Sequence, residues 1–153
     1  NAMGDVVDPA NGRIVAGARA DGDAAFLDTM AAFRRGEWPT APIAPAGEAA
    51  ASATTLAIVA TDAVLGKAEA TKIAQMAHDG LARTIRPIHT MSDGDIVFAL
   101  GTGASGVRAH TTLLGALAAD VLADAVLRAV RAATSLAGPG LPSLPAARDL
   151  PGI

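Results

Sequence analysis

Three groups of residues in this chain have the types and spacing to do chemistry. They are Thr54, the pair Asp93 and Asp95 on either side of Gly94, and the histidines at 78, 89 and 110. Thr54 stands where a long stretch of Pro, Ala and Gly gives way to the apolar run Leu56-Ala57-Ile58-Val59-Ala60. A chain that cuts itself needs this arrangement: the bond to be broken is exposed and strainable, and the new terminus is held by a strand. A threonine at such a terminus carries a hydroxyl nucleophile and an α-amine that can take its proton. The amine's ordinary pKa of about 7.7–8.0 suits a base near neutral pH. Thr54 has that capability only once its amine is free. Read on its own, Thr54-Thr55 is more simply the start of a strand, where β-branched residues are favoured.

Asp93-Gly94-Asp95 puts two carboxylates on a tight turn, where both can face one way. They can orient a hydroxyl or stabilise an ammonium group; the same three residues also suit a solvated turn feeding a strand. His78, His89 and His110 are not at metal-ligand spacing with one another or with the acids, so no metal site is expected. His89 reads as a support behind the acids or as a structural histidine. Gly101-Thr102-Gly103-Ala104-Ser105-Gly106 lacks the Gly-Lys-Ser/Thr ending of a phosphate loop and reads as an ordinary loop, so no nucleotide cofactor is expected.

Several elements must position these groups. Residues 5–20 read as strand, turn and strand around Asp8-Pro9-Ala10-Asn11-Gly12. Residues 23–35 carry Phe26, Leu27, Met30 and Phe33 at helical spacing, with Gly36 as a stop. Residues 37–53 form a linker in which Pro39, Pro42 and Pro45 forbid a regular helix or a central strand. Residues 54–61 read as a strand. Residues 67–85 read as a helix with Ile73, Met76, Ala77 and Leu81 inward and Lys72, Gln75, Asp79 and Arg83 outward. Residues 95–100 are a continuous apolar run, as in a covered strand. Residues 110–136 read as one long helix or two abutting ones, with Asp120, Asp124, Arg128 and Arg131 spaced to pair along one face. The tail from Gly138 carries four prolines and is expected as surface coil. Strands with covering helices imply a layered α/β or α+β domain.

The bulk properties narrow the function. The chain has 153 residues, suiting one domain. Hydrophobic residues are 51% and aromatics only 3%, so the core is built of Ala, Val, Leu and Ile. A net charge of −3 argues against a nucleic-acid partner, which requires a basic face. With no cysteine there is no disulfide framework or thiolate metal site. No secretory signal is visible, and a cytoplasmic location is the expectation. The most apolar run, residues 111–127, contains Asp120 and Asp124, which argues against a membrane span and for a buried or oligomer-facing helix.

Three blocks resemble a known family: Thr54 to Asp62, Ala77 to Thr90 (AHDGLARTIRPIHT), and Asp93 to Leu100 (DGDIVFAL). In this order they are similar to the smaller, self-generated chain of DmpA-type L-aminopeptidase D-amidase/esterases, a group that includes the nylon-oligomer hydrolases. Gly4 to Gly12 resembles the late part of that family's larger chain. The resemblance implies a layered α+β sandwich of the self-processing DmpA and ornithine-acetyltransferase-like type, only part of which lies in this sequence. It divides the chain into the end of the larger-chain portion (1–36), the Pro/Ala-rich linker (37–53) and the nucleophile-bearing smaller-chain portion (54–153).

By the same resemblance, the nucleophile lies six residues before the Ala60-Thr61-Asp62 triplet, at Thr54. Asp93 and Asp95 match positions that support the nucleophile and self-cleavage. Asn1 falls where the larger chain contributes an asparagine to hold the oxyanion. Ala53 departs from the asparagine or glycine usual before the nucleophile. The implied activity is amide-bond hydrolysis on short peptides or amides, with no cofactor. The implied partner is the missing larger-chain portion or a second copy. Two alternatives remain open: a truncated, non-catalytic oligomeric fragment, and an acetyl-transferring relative in arginine biosynthesis, for which no dedicated pocket is visible.

Overall fold

A computed structural model describes residues 2–19, 25–37, 53–139 and 141–150. Two strands, β1 (Asp5–Val7) and β2 (Ile14–Ala16), are followed by a short helix α1 (Thr29–Arg34). Next come strand β3 (Leu56–Thr61), helix α2 (Lys67–Thr84), strands β4 (Ile85–Arg86) and β5 (Ile96–Gly101), and helix α3 (Thr111–Ala132). Strands β6 (Leu136–Gly138) and β7 (Leu141–Leu144) and a 3₁₀ turn at Ala147–Asp149 complete the order. The class is mixed α/β, as the alternation of strand and helix patterns implied.

The element that positions the candidate residues is the parallel pair β3–β5, in register from Leu56↔Ile96 to Thr61↔Gly101. One face lies against the two long helices. Val97 is buried there, with Ala57, Val59 and Ala99 beside it, in a core with Ile73, Ala77, Leu81, Ile85, Ala118, Leu122 and Leu127. The core is aliphatic, built of Ala, Val, Leu and Ile, as the scarcity of aromatics required. At Gly80 on α2, an added Cβ would stand 2.3 Å from the backbone oxygen of Ala119 on α3. The two helices therefore touch backbone to backbone, an approach only glycine allows.

The other face of β3–β5 is bare. Leu56 is 72%, Ile58 66% and Phe98 54% exposed. The covered strand expected from the apolar run at 95–100 is thus covered on one side only. On α3, Leu113, Leu117 and Val121 are exposed as well. Among the described residues, no helix is long and apolar enough to cross a membrane.

β1 pairs antiparallel with both β2 and β4, which joins the N-terminal block to the end of α2. Asp5 is the hinge of this block. Its side chain is buried, with Oδ1 accepting from the Ala18 amide at 3.1 Å and Oδ2 from the Thr29 amide at 2.7 Å. One carboxylate thus ties β1 to the end of β2 and the start of α1.

Three expectations are corrected. The helix expected over 23–35 starts only at Thr29: Phe26 forms a β-bridge with Arg19 instead, and Leu27 donates to the Ala18 carbonyl. Residues 20–24 lie outside the described residues. The tail is not plain coil, because β6 and β7 form an antiparallel pair; a two-stranded ladder has only edges, and edges tolerate proline. The charged residues of α3 do not pair along their own helix. Asp120 meets Arg83 of α2, and Arg131 reaches Asp8 at 2.8 Å. The linker expected over 37–53 lies outside the described residues apart from Glu37 and Ala53.

Candidate active site

Just before β3, the segment Ala53-Thr54-Thr55 runs parallel to Asp93-Gly94-Asp95, extending the β3–β5 ladder. Ala53 and Asp93 form a parallel bridge. The Gly94 amide donates to the Ala53 carbonyl at 2.8 Å, and the Ile96 amide to the Thr55 carbonyl at 3.0 Å. Gly94 is small for a reason: a Cβ there would lie 3.1 Å from Thr54 Oγ1 and 3.9 Å from the Ala53 carbonyl oxygen. The Thr54 hydroxyl and the carbonyl preceding Thr54 therefore converge on one glycine.

The two acids hold different partners. Asp93 Oδ2 accepts from the Thr90 amide at 2.8 Å and the Thr90 hydroxyl at 2.7 Å, so the turn is closed on itself. Asp93 Oδ1 is buried with no hydrogen-bond partner among the described residues, and the same is true of Thr55 Oγ1. Buried polar atoms without a partner are uncommon in folded proteins. Asp95 Oδ1 accepts from the Thr55 amide at 2.8 Å. Its other oxygen accepts from His89 twice, from Nδ1 at 2.9 Å and from the backbone amide at 3.2 Å. Burial alone pushes the Asp95 carboxyl up, since its side chain is only 2% exposed. The hydrogen bonds from the Thr55 amide and from His89 outweigh that, and the net direction is below the ordinary value.

Behind Asp95 stands a pair of histidines. His89 Nε2 is 3.4 Å from Nδ1 of His78 on α2, with the rings edge to face and their centroids 4.8 Å apart. Burial, and then the neighbouring His89, lower the His78 pKa. His110 is elsewhere, capping α3 by accepting from the Thr112 amide at 3.3 Å. No group of three or more potential metal ligands occurs among the described residues.

Of the residues singled out from sequence, Thr54, Asp93 and Asp95 come together. Asn1 lies outside the described residues. Its neighbours do reach this region: Thr90 Oγ1 approaches Met3 Sδ at 3.2 Å, and Ala2 and Thr55 line one cavity of about 440 Å³. Sequence reasoning missed the Gly94 amide, and it missed the contact of His89 with His78. The first shows only in the strand register. The second needs the fold to bring residues on a helix and a turn together.

Residues 12–141 match the sequence model of peptidase family S58, and the chain belongs to that family, the DmpA-type peptidases. It is 51% identical over 98 residues to an uncharacterized aminopeptidase of Mycobacterium leprae, covering 56% of this chain and 27% of that protein. It is 48% identical over 110 residues to an uncharacterized aminopeptidase of Mycobacterium tuberculosis strain H37Rv, covering 63% of this chain and 30% of that protein. A 6-aminohexanoate-oligomer endohydrolase of Kocuria sp. is 31% identical over 101 residues, covering 59% and 27% of the two chains. The chain thus spans about a third or less of the length of these relatives.

Proposed function

We propose that this chain is the nucleophile-bearing portion of an amide-bond hydrolase that first cuts itself between Ala53 and Thr54. The observation that carries the reading is the shared glycine. The Gly94 amide already polarises the Ala53 carbonyl, and the Thr54 hydroxyl lies against the same residue. In the self-cleavage step, Thr54 Oγ1 adds to the Ala53 carbonyl carbon while the carbonyl oxygen gains negative charge facing the Gly94 N–H. The Thr54 nitrogen then leaves as the amine, taking up the hydroxyl proton, and an ester remains. Water splits the ester into an Ala53 carboxylate and a Thr54 with free hydroxyl and amine. Asp93, with its unpartnered buried oxygen, is assigned to take the hydroxyl proton and pass it to the departing nitrogen. Asp95 fixes the peptide on the far side of Thr54 through the Thr55 amide.

The freed Thr54 then repeats the chemistry on a substrate. Its amine takes the hydroxyl proton, the oxygen attacks the amide carbonyl, and the leaving amine departs from an ester that water hydrolyses. Asn1 is assigned to the oxyanion. That assignment rests on the family resemblance of the segment around it. No resident cofactor is needed. The substrate class is short peptides or linear amides with a free amino group, which accords with the aminopeptidase and oligomer-hydrolase names of the relatives. The fold that completes the site is the layered α+β sandwich of this family.

The test is amine release from amino-acid anilides and short linear amides. Activity in the wild type, reduced in Thr54→Ser and absent in Thr54→Ala, is the expected result. Equal activity in Thr54→Ala would remove Thr54 from the reaction.

The bare outer face of β3–β5 favours a second reading: a portion that does no chemistry until that face is covered. Its cover would be a second copy or the additional sequence that the longer relatives carry. Under that reading the wild type shows no amine release, and pairing with such sequence restores it.

A further inference from the structure

We propose that His89 is a positioning residue for the nucleophile, acting through Asp95, with His78 locking its ring. This rests on the reading of Thr54 as the nucleophile. Four observations point the same way. His89 has φ of +56°, a left-handed conformation uncommon for a residue with a side chain. That conformation brings its backbone amide and its ring Nδ1 to the same oxygen, Asp95 Oδ2. The other Asp95 oxygen holds the amide of Thr55, the residue immediately after Thr54. The far ring nitrogen, Nε2, meets His78 Nδ1.

The chemistry of the ring follows from its partners. A carboxylate only accepts, so His89 Nδ1 carries the proton. With the ring neutral, Nε2 is an acceptor, and the matching His78 tautomer, with its proton on Nδ1, is assigned from that contact. The order of donation is His78 to His89 to Asp95, and the Thr55 amide meets that same carboxylate from the other side. Charge-assisted hydrogen bonds of this kind are stronger than neutral ones and give a fixed direction. Without the ring, Asp95 keeps the amides of Thr55 and His89 but loses the shorter of the two contacts on Oδ2. The carboxylate is held less firmly, and so is the Thr54–Thr55 peptide that it fixes.

Two variants separate this role from a merely structural one. His89→Gly removes the ring yet accepts a positive φ without strain, so the turn itself is retained. His89→Asn also tolerates that conformation, and its side-chain amide stands in for Nδ1–H. The first readout is hydrogen exchange at the Thr55 amide in the full chain, measured against Ile58 within β3. The second is the time course of Ala53–Thr54 cleavage by mass.

The expected result is Thr55 exchange about tenfold or more faster in His89→Gly, the loss of one charged hydrogen bond. Ile58 is unchanged, cleavage slows in parallel, and His89→Asn stays near wild type in both. If the wild type shows no cleavage while Thr55 exchange still separates Gly from Asn, the self-cleavage reading falls and the hold of His89 on Asp95 stands. If His89→Gly matches the wild type, or His89→Asn matches His89→Gly, the positioning role is overturned.

Discussion

The carbonyl oxygen of Ala53 accepts a 2.8 Å hydrogen bond from the amide of Gly94. This is the carbonyl that Thr54 would attack, and Gly94 is also the residue against which the Thr54 hydroxyl packs. A donor already in place at the oxygen where charge develops costs no reorganisation during the reaction. The bulk at residue 94 is therefore the most sensitive variable in the site.

Gly94→Ala puts a methyl 3.1 Å from Thr54 Oγ1. The hydroxyl must shift, while the backbone amide remains. The shift needed is a few tenths of an ångström, so cleavage at Ala53–Thr54 is expected to slow by less than the roughly hundredfold cost of a full ångström of misplacement. A time course of intact mass checks this, and a rate equal to wild type would show that the contact does not constrain the hydroxyl.

Acid stability follows from Asp95. Its folded pKa lies below the ordinary 3.8, so the unfolded chain takes up the proton first. The stability contributed by Asp95 is present above about pH 4 and is lost as pH falls through the folded value. His78 adds a second decline at higher pH. Its folded pKa lies below 6.5, so stability falls as pH drops from about 6.5 toward that value. Denaturant midpoints measured from pH 7 to 3 should decline in wild type. Asp95→Asn should start less stable at pH 7 and lose the lower part of the decline, and His78→Gln should lose the upper part.

At Gly80 the two long helices touch. Gly80→Val forces a side chain against the Ala119 carbonyl, only 2.3 Å from the position of its Cβ. Overpacking of this kind costs about 1–3 kcal/mol, and backbone contact puts the expectation at the upper end. Chemical denaturation measures it, and an unchanged midpoint would mean that the helices are not locked at this crossing.

The bare face of β3–β5 predicts association. Ile58→Ser and Phe98→Ser leave the helix-covered face untouched, since both side chains are largely exposed. If a second copy covers this face, sedimentation should show oligomers in the wild type and smaller species in the double variant. A wild type that sediments as a monomer would mean that no second copy covers it.

Much of this architecture was legible in the sequence. The 3.6-residue spacing of Ile73, Ala77 and Leu81 marked the buried side of α2, and Leu56–Thr61 and Ile96–Gly101 stood out as apolar, β-rich runs. Helix α1 was overextended because Phe26 has helical spacing with Met30 and Phe33 yet is taken by a bridge to Arg19. That competition is tertiary and leaves no local signal. The β6–β7 pair was hidden by its prolines, which usually mark coil. At the site, residue types and spacing raised Thr54, Asp93 and Asp95 only weakly, and the family resemblance singled them out. The contact of His89 with Asp95 depends on a positive φ at a histidine, and its contact with His78 depends on where α2 ends. Neither follows from spacing along the chain.

The central claim is that the bond between Ala53 and Thr54 breaks by the action of Thr54. The most direct measurement is the intact mass of the purified protein under denaturing conditions, beside Thr54→Ala. The account predicts two wild-type species, residues 1–53 and residues 54–153, and a single uncut chain for Thr54→Ala. A wild type that remains one species of 15.1 kDa would contradict it.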